Sequence, residues 1–139
     1  MSKNIQPVRK FDVSIDESTF KKLKEEIKEE SQTTIHCNYV SKHKYINGGW
    51  LNIYATTYLS STTTNNTDLE LQHVENVPIA PNKHFFTKVG DHKRFTLYFP
   101  AIPKDWETFD LVEKTNTGNG FVIKNIHRNN NGIYEIFID

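Results

Sequence analysis

The sequence predicts a mainly β protein, an antiparallel sandwich preceded by one amphipathic helix. Three observations support this fold class. Apolar and polar residues alternate with a period of two through most of the chain after Ser31. Proline, glycine and asparagine interrupt the alternation at short intervals, which gives about seven or eight short strands, a number typical of sandwiches. Aromatic residues, which favour strands, make up 12% of the chain.

Size and charge limit the classes of function. The 139 residues fit one domain, divided into an N-terminal strand and helix (1–31) and a β-sandwich (32–139). Lys+Arg and Asp+Glu both number 17, so the formal net charge is zero. Duplex DNA and membrane surfaces attract basic proteins, and this balance therefore argues against nucleic acid and membrane as partners. The first residues contain no apolar stretch of signal-peptide type, so we expect a cytoplasmic protein, or a cell-envelope protein if a signal was removed.

The N-terminal part contains the patterns of one strand and one helix. The segment "RKFDVSI" (9–15) alternates as a strand does. In "DESTFKKLKEEIKEES" (16–31), Phe20, Leu23 and Ile27 form one apolar stripe, and lysines and glutamates occupy the rest of the helix surface. We expect this helix to lie on the sheet.

The strands of the sandwich follow from residue 33 onwards. The turn "INGG" (46–49) precedes "WLNIYATTYL" (50–59), "DLELQHV" (68–74) alternates again, and "PIAPNK" (78–83) is predicted to cross between sheets. We expect the following residues to point into the core: Ile35, Cys37, Tyr39, Leu51, Ile53, Phe95, Leu97, Phe99, Phe109 and Leu111.

The stretch "RFTLYFPAIPKDWETFDLVEK" (94–114) is the most regular in the chain. Pro100 lacks an N–H and ends the first strand, while Pro103 sets up a turn before alternation resumes. Near the C-terminus, Asn131-Gly132 is a two-residue hairpin signal between "GFVIKNIH" and "IYEIFI".

These patterns resemble a known family. Four stretches within residues 33–127 are similar to the bacterial immunoglobulin-like β-sandwich that precedes a thioredoxin-like domain in envelope proteins of the TlpA type. They are "TTYL", "VENVPIAP", "FTLYFPAIPKDWETFDLVE" and "GFVIKNIH". The resemblance implies an immunoglobulin-like fold. It carries over no catalytic residue, since the chain has one cysteine and therefore no Cys-x-x-Cys motif.

No residue pattern requires catalysis, a metal or a cofactor. Cys37 lies in an alternating run, where it is expected to pack as a small hydrophobe. The six histidines are scattered without metal-ligand spacing, although His84 and His92 flank one loop and are candidates to meet in space. We therefore expect a non-catalytic module that binds another protein, in an oligomeric state that the sequence does not give.

Trp50 and Tyr54 are the predicted partner-binding residues. They lie on the side of their strand opposite Leu51 and Ile53, and Trp and Tyr are enriched at binding hot spots. We expect the N-terminal helix to dock over them. The functional alternative leaves both side chains open as an anchor patch.

Two other classes of function stay open. A histidine-lined pocket would indicate a small enzyme or a ligand-binding protein. The segments "KHKY" (42–45), "KHFF" (83–86) and "HKRF" (92–95) mix basic and aromatic residues, as binders of single-stranded nucleic acid do.

Overall fold

A computed structural model describes residues 32–63, 68–115, 118 and 120–138. This part of the chain is mainly β, as predicted, and contains one short 3-10 turn at Ile46–Gly48. The predicted N-terminal strand and helix (1–31) lie outside the described residues. The strands are β1 (Thr33–Val40), β2 (Trp50–Leu51), β3 (Tyr58–Ser61), β4 (Leu69–Glu70), β5 (His73–Glu75), β6 (His84–Phe85), β7 (His92–Phe99), β8 (Thr108–Val112), β9 (Val122–His127) and β10 (Ile133–Ile138).

Eight of these strands form two four-stranded sheets. The first sheet has the order β10-β1-β7-β5, and the second has the order β4-β3-β8-β9. Among the described strands, all pairs are antiparallel except β1 with β10, which run parallel, and an isolated parallel bridge joins Ile53 to Ile79 outside the strands. The short strands β2 and β6 pair separately with each other. The predicted antiparallel character is confirmed, with this one parallel pair as the exception.

The two sheets share one hydrophobic core. Phe109 of the second sheet meets Tyr134 of the first edge to face, with ring centroids 5.2 Å apart. All predicted core residues are buried except Leu51, which is half-buried and packs against the core. The sequence did not predict the burial of Trp106, which is fully buried although it lies outside any strand.

The proline corner after β7 carries the chain from one sheet to the other. β7 ends at Phe99 as predicted, and the N–H of Trp106 donates to the carbonyl of Pro103 at 3.0 Å to close a turn before β8. Because β7 and β8 belong to different sheets, the residues between them pass over the end of the core. This position explains why Ile102 and Trp106 are buried.

The predicted hairpin at Asn131-Gly132 is wrong. β9 pairs with β8 in the second sheet, whereas β10 pairs with β1 in the first. The Asn129 side chain organises the turn, since its Oδ1 accepts the N–H groups of Asn131 and Gly132 at 3.2 and 2.9 Å. Its Nδ2 donates to the carbonyl of Ile133 at 2.7 Å. An alternating pattern shows which face is buried but not which strand is the neighbour, so the sequence did not reveal this crossing.

The segment 68–74 also crosses between the sheets. Its alternation predicts one continuous strand, but it is split into β4 of the second sheet and β5 of the first. The N–H of Leu71 donates to the carbonyl of Thr57, just before β3 of the second sheet, and the N–H of Gln72 donates to the carbonyl of Tyr98 in β7 of the first sheet. His73 is exposed as a result.

Candidate interaction surface

Trp50 lies on a short strand pair at the surface. Its register partner across β2 and β6 is Phe85, and 47% of Trp50 and 67% of Phe85 are exposed. Asn47, Gly48 and Gly49 precede the strand with φ of 55°, 87° and 74°, which produces the tight turn that the sequence predicted. The carbonyl of Gly49 then accepts the N–H of Phe86 at 3.0 Å, which joins the turn to β6.

Ser41 fixes this turn to the loop that follows β6. Its N–H donates to the Asp91 carbonyl at 2.8 Å, and its hydroxyl donates to the Lys88 carbonyl at 2.9 Å. Gly48 packs directly against this junction, because a Cβ there would lie 2.7 Å from Ser41 Cβ and 2.8 Å from the Lys88 carbonyl oxygen. The two loops therefore form one closely packed unit in which no larger residue fits at position 48.

Phe86 connects this unit to the core. Its ring is buried, lies 5.7 Å from Tyr39 in a stacked arrangement and meets His84 edge to face at 5.0 Å. Partial burial lowers the pKa of His84, and the nearby positive charge of Lys93 lowers it further, while Asp91 opposes the shift. That His84 meets His92 across the loop stays a prediction.

We call residues 42–50 and 83–91 the aromatic tip. Eight large hydrophobic side chains are exposed in the described part of the chain, and five of them belong to the tip. Those five are Tyr45, Ile46, Trp50, Phe85 and Val89. Since single exposed hydrophobic residues are ordinary but a cluster is not, this concentration marks the tip as the candidate binding surface.

The aromatic tip is also basic. It contains Lys42, Lys44, Lys83 and Lys88 against a single acid, Asp91, so four positive charges minus one negative charge leave +3. The carboxylate of Asp91 accepts hydrogen bonds from the N–H and hydroxyl of Thr87, at 3.3 and 3.1 Å.

Two of these lysines lie over the exposed rings. Lys83 Nζ is 4.4 Å from the Trp50 ring centroid, and Lys44 Nζ is 5.1 Å from that of Tyr45. Both distances are within cation–π range, so each ring holds a positive charge beside an apolar surface.

Tyr54, the second predicted partner-binding residue, has different neighbours from Trp50. Its N–H donates to the Glu113 carboxylate at 3.2 Å, and its carbonyl accepts the Thr57 hydroxyl at 2.7 Å. Burial raises the pKa of Glu113, and the hydrogen bond from Tyr54 opposes that shift. Asn52, which lies between Trp50 and Tyr54 in sequence, is buried and donates to the Asn82 carbonyl at 2.9 Å. Both hydrogen bonds of Tyr54 are to residues outside the tip, and its binding role stays a prediction.

Three titratable side chains outside the tip, those of Cys37, His36 and His73, are packed or paired within the first sheet. Cys37 is fully buried in the core, and burial raises the pKa of its thiol. His36 Nδ1 lies 2.8 Å from the Thr96 hydroxyl, and His73 stacks on Tyr98. Among the described residues, no group of three or more His, Cys, Asp or Glu side chains is arranged to hold a metal ion.

A polar cluster lies across β10, β1 and β7. Arg94 forms a salt bridge with Glu135, and the Asn38 amide donates to the same carboxylate at 2.6 Å. The Asn38 hydrogen bond is the main reason that the pKa of Glu135 is lowered, and Arg94 adds to the effect. This cluster links three strands of one sheet.

The basic-aromatic segments of the sequence include part of the tip, although their pattern was interpreted as typical of binders of single-stranded nucleic acid. Of the three basic-aromatic segments, 42–45 and 83–86 both belong to the tip. The third segment differs, because Phe95 is buried in the core and Arg94 is paired with Glu135. The exposure of Phe85, Ile46 and Val89 was not predicted, since no sequence pattern shows which loop residues are left uncovered.

Comparison with known proteins finds no matching family model, no curated relative and no similar solved structure. Within the described ranges, no helix is both long and apolar enough to span a membrane.

Proposed function

We propose that this protein is a non-catalytic module that binds another protein through the aromatic tip, with Trp50 as an anchor. The observation that carries the proposal is the surface pair Trp50–Phe85, which is exposed on a strand pair fixed to the core. Aromatic side chains dominate binding energy at protein interfaces because they bury a large apolar area with little loss of conformational freedom.

Rigidity of the tip supports the same proposal. The two loops are held together without a partner by three kinds of contact. These are the hydrogen bonds of Ser41, the close packing of Gly48 and the stacking of Phe86 on Tyr39. Association is costly when loops must become ordered, so a surface that is already fixed binds more tightly than a flexible one of equal area.

We further propose that the fold is an immunoglobulin-like β-sandwich related to the domain found in TlpA-type envelope proteins. Two four-stranded sheets around one core support this proposal. In the described residues β1 is a central strand, between β10 and β7, rather than the edge strand that the first strand forms in the immunoglobulin arrangement. An experimental structure of the whole chain would test the relationship. The cytoplasmic location stays a prediction.

The test of function compares Phe85→Ala with Phe137→Ala. Both replacements remove a largely exposed phenylalanine, 67% and 72% exposed, but only Phe85 belongs to the tip. Each variant and the unchanged chain serve as bait in quantitative affinity purification from the source cells. We expect one protein to be captured by the unchanged chain and by Phe137→Ala, and to be depleted with Phe85→Ala and with Trp50→Ala.

Thermal melts of the baits must show that all are folded. A captured protein that is retained equally by Phe85→Ala and Trp50→Ala would place the contact elsewhere and refute the tip as the binding surface. Turnover of a captured small molecule by the purified chain would refute the non-catalytic assignment.

A further inference from the structure

We infer that the partner of the aromatic tip is an acidic protein segment that also carries apolar side chains. This inference rests on the proposed function and specifies the chemistry of the partner. It follows from the presence of positive charge beside exposed apolar side chains on the aromatic tip.

Charge is distributed unevenly over a chain that is neutral as a whole. The tip carries +3, so the remainder of the sequence carries −3. A salt bridge joins Arg94 to Glu135 outside the tip, whereas among the described residues none of the tip lysines has a carboxylate within salt-bridge distance. The positive charge at the tip is therefore available to a partner, and it favours one with negative charge.

The lysines lie directly beside the apolar anchors. Because Lys83 covers Trp50 and Lys44 covers Tyr45, a partner that buries either ring also meets an ammonium group within a few ångströms. Burying such a charge without a counter-ion is costly, so a suitable partner places Asp or Glu next to its own apolar residues. An acidic peptide with interspersed Leu, Ile or aromatic residues has this composition.

The alternative occupant, single-stranded nucleic acid, fits the tip less well. Bases bind by stacking on open aromatic faces, but Lys83 covers one face of Trp50. Ile46 is 90% exposed and Val89 is 46% exposed, and neither offers a stacking surface. The tip contains no arginine, the residue that contributes most to cation–π contacts with bases. Exposed aliphatic side chains instead favour a partner with apolar side chains of its own, against which they can be buried.

The experiment selects ligands from a phage-displayed library of random peptides of about 12 residues, a length sufficient to span a small recognition surface. The complete chain is the target. We expect selected sequences to be enriched in Asp and Glu together with large apolar residues. A synthetic copy of the most enriched peptide is then titrated by fluorescence anisotropy against the unchanged chain and its variants.

Charge reversal at the tip has a matched control. Lys44→Glu with Lys88→Glu changes the tip, and Lys104→Glu with Lys124→Glu makes the same change in net charge at exposed positions elsewhere. The first pair should weaken peptide binding by about tenfold or more, since each exposed ion pair contributes a modest amount and the pairs act together. The control pair should have little effect. Raising ionic strength from about 0.01 to 1 M, which shortens the Debye length from about 30 to 3 Å, should also weaken binding.

The outcomes separate the two levels of the proposal. Enriched peptides without acidic residues, whose binding still depends on Trp50 and Phe85, would overturn the acidic partner and leave the protein-binding function intact. Selected peptides that bind Trp50→Ala and Phe85→Ala as well as the unchanged chain, or no enrichment at all, would overturn both. Tighter binding of an oligothymidylate of about 20 nucleotides than of any selected peptide would identify single-stranded nucleic acid as the ligand instead.

Discussion

Replacing Leu97 with alanine tests whether the shared core holds the two sheets together. Leu97 is fully buried in the central strand β7, with Ile35 of β1 and Val74 of β5 as its register partners. Truncation to alanine removes three carbon atoms, and at about 0.8 kcal/mol per buried methylene the lost transfer free energy is roughly 2.4 kcal/mol. The cavity left between two paired neighbours adds to this, so we expect a loss of about 3–5 kcal/mol in the free energy of unfolding.

The measurement is urea unfolding followed by circular dichroism in the far ultraviolet. Val122→Ala is the control, because Val122 is an apolar strand residue that is 47% exposed on β9, at the edge of its sheet. Its truncation removes two carbon atoms that are only half-buried, so the expected loss is below about 1 kcal/mol. The unfolding midpoint should fall sharply for Leu97→Ala and little for Val122→Ala, with similar denaturant slopes.

Equal midpoints for the two variants would show that β7 does not face a packed core. A spectrum dominated by helix in the unchanged protein would contradict the fold itself. If Leu97→Ala is too unstable to purify, Leu97→Val, which removes less volume, should show a smaller loss in the same direction.

Further predictions concern the tryptophans, the N-terminal residues, Cys37 and Glu135. In a Trp50→Phe variant, the remaining emission from buried Trp106 should be shifted to the blue and should resist acrylamide quenching, whereas the difference from the unchanged protein should report an accessible Trp50. Deleting residues 1–31 should leave the Trp50 emission unchanged, because the proposed function requires an open tip; a red shift confined to Trp50 would instead support docking of the predicted helix over it. Cys37 should not react with a thiol reagent until the protein unfolds, because burial raises the pKa of its thiol. Neither EDTA nor dithiothreitol should change the melting temperature. Stoichiometric zinc in the purified protein would contradict the expected absence of a metal site. The pKa of Glu135 is lowered in the folded state. The stability that its carboxylate contributes is therefore present above the ordinary pKa of 4.5 and is lost as pH falls through the lowered folded pKa. On acidification, the Glu135→Gln variant should consequently lose less stability than the unchanged protein.

Local patterns predicted the strand faces well. Ile35, Cys37, Leu97 and Leu111 were placed in the core by alternation alone, and all four are fully buried. Alternation works here because neighbouring residues of a strand point to opposite sides and one side of each long strand meets the core. Pro100 was also informative, since a residue without an N–H cannot continue a central ladder.

Pairing between distant segments was not predicted. The hairpin at Asn131-Gly132 was wrong because the turn signal is compatible with any change of direction, and here β10 joins β1, about a hundred residues earlier in sequence, rather than β9. Trp106 was missed for a related reason. It is buried because the corner crosses the end of the core, and no local repeat reports such a position.

The sequence by itself determined the β class, the buried face of each long strand and the neutral overall charge, because these depend on residue type and on spacing within one segment. Only the tertiary structure decided which segments meet. It brought residues 42–50 against 83–91 and left Phe85 and Ile46 uncovered. The aromatic tip depends on this long-range packing, since exposure and local charge are properties of neighbours in space rather than of neighbours along the chain.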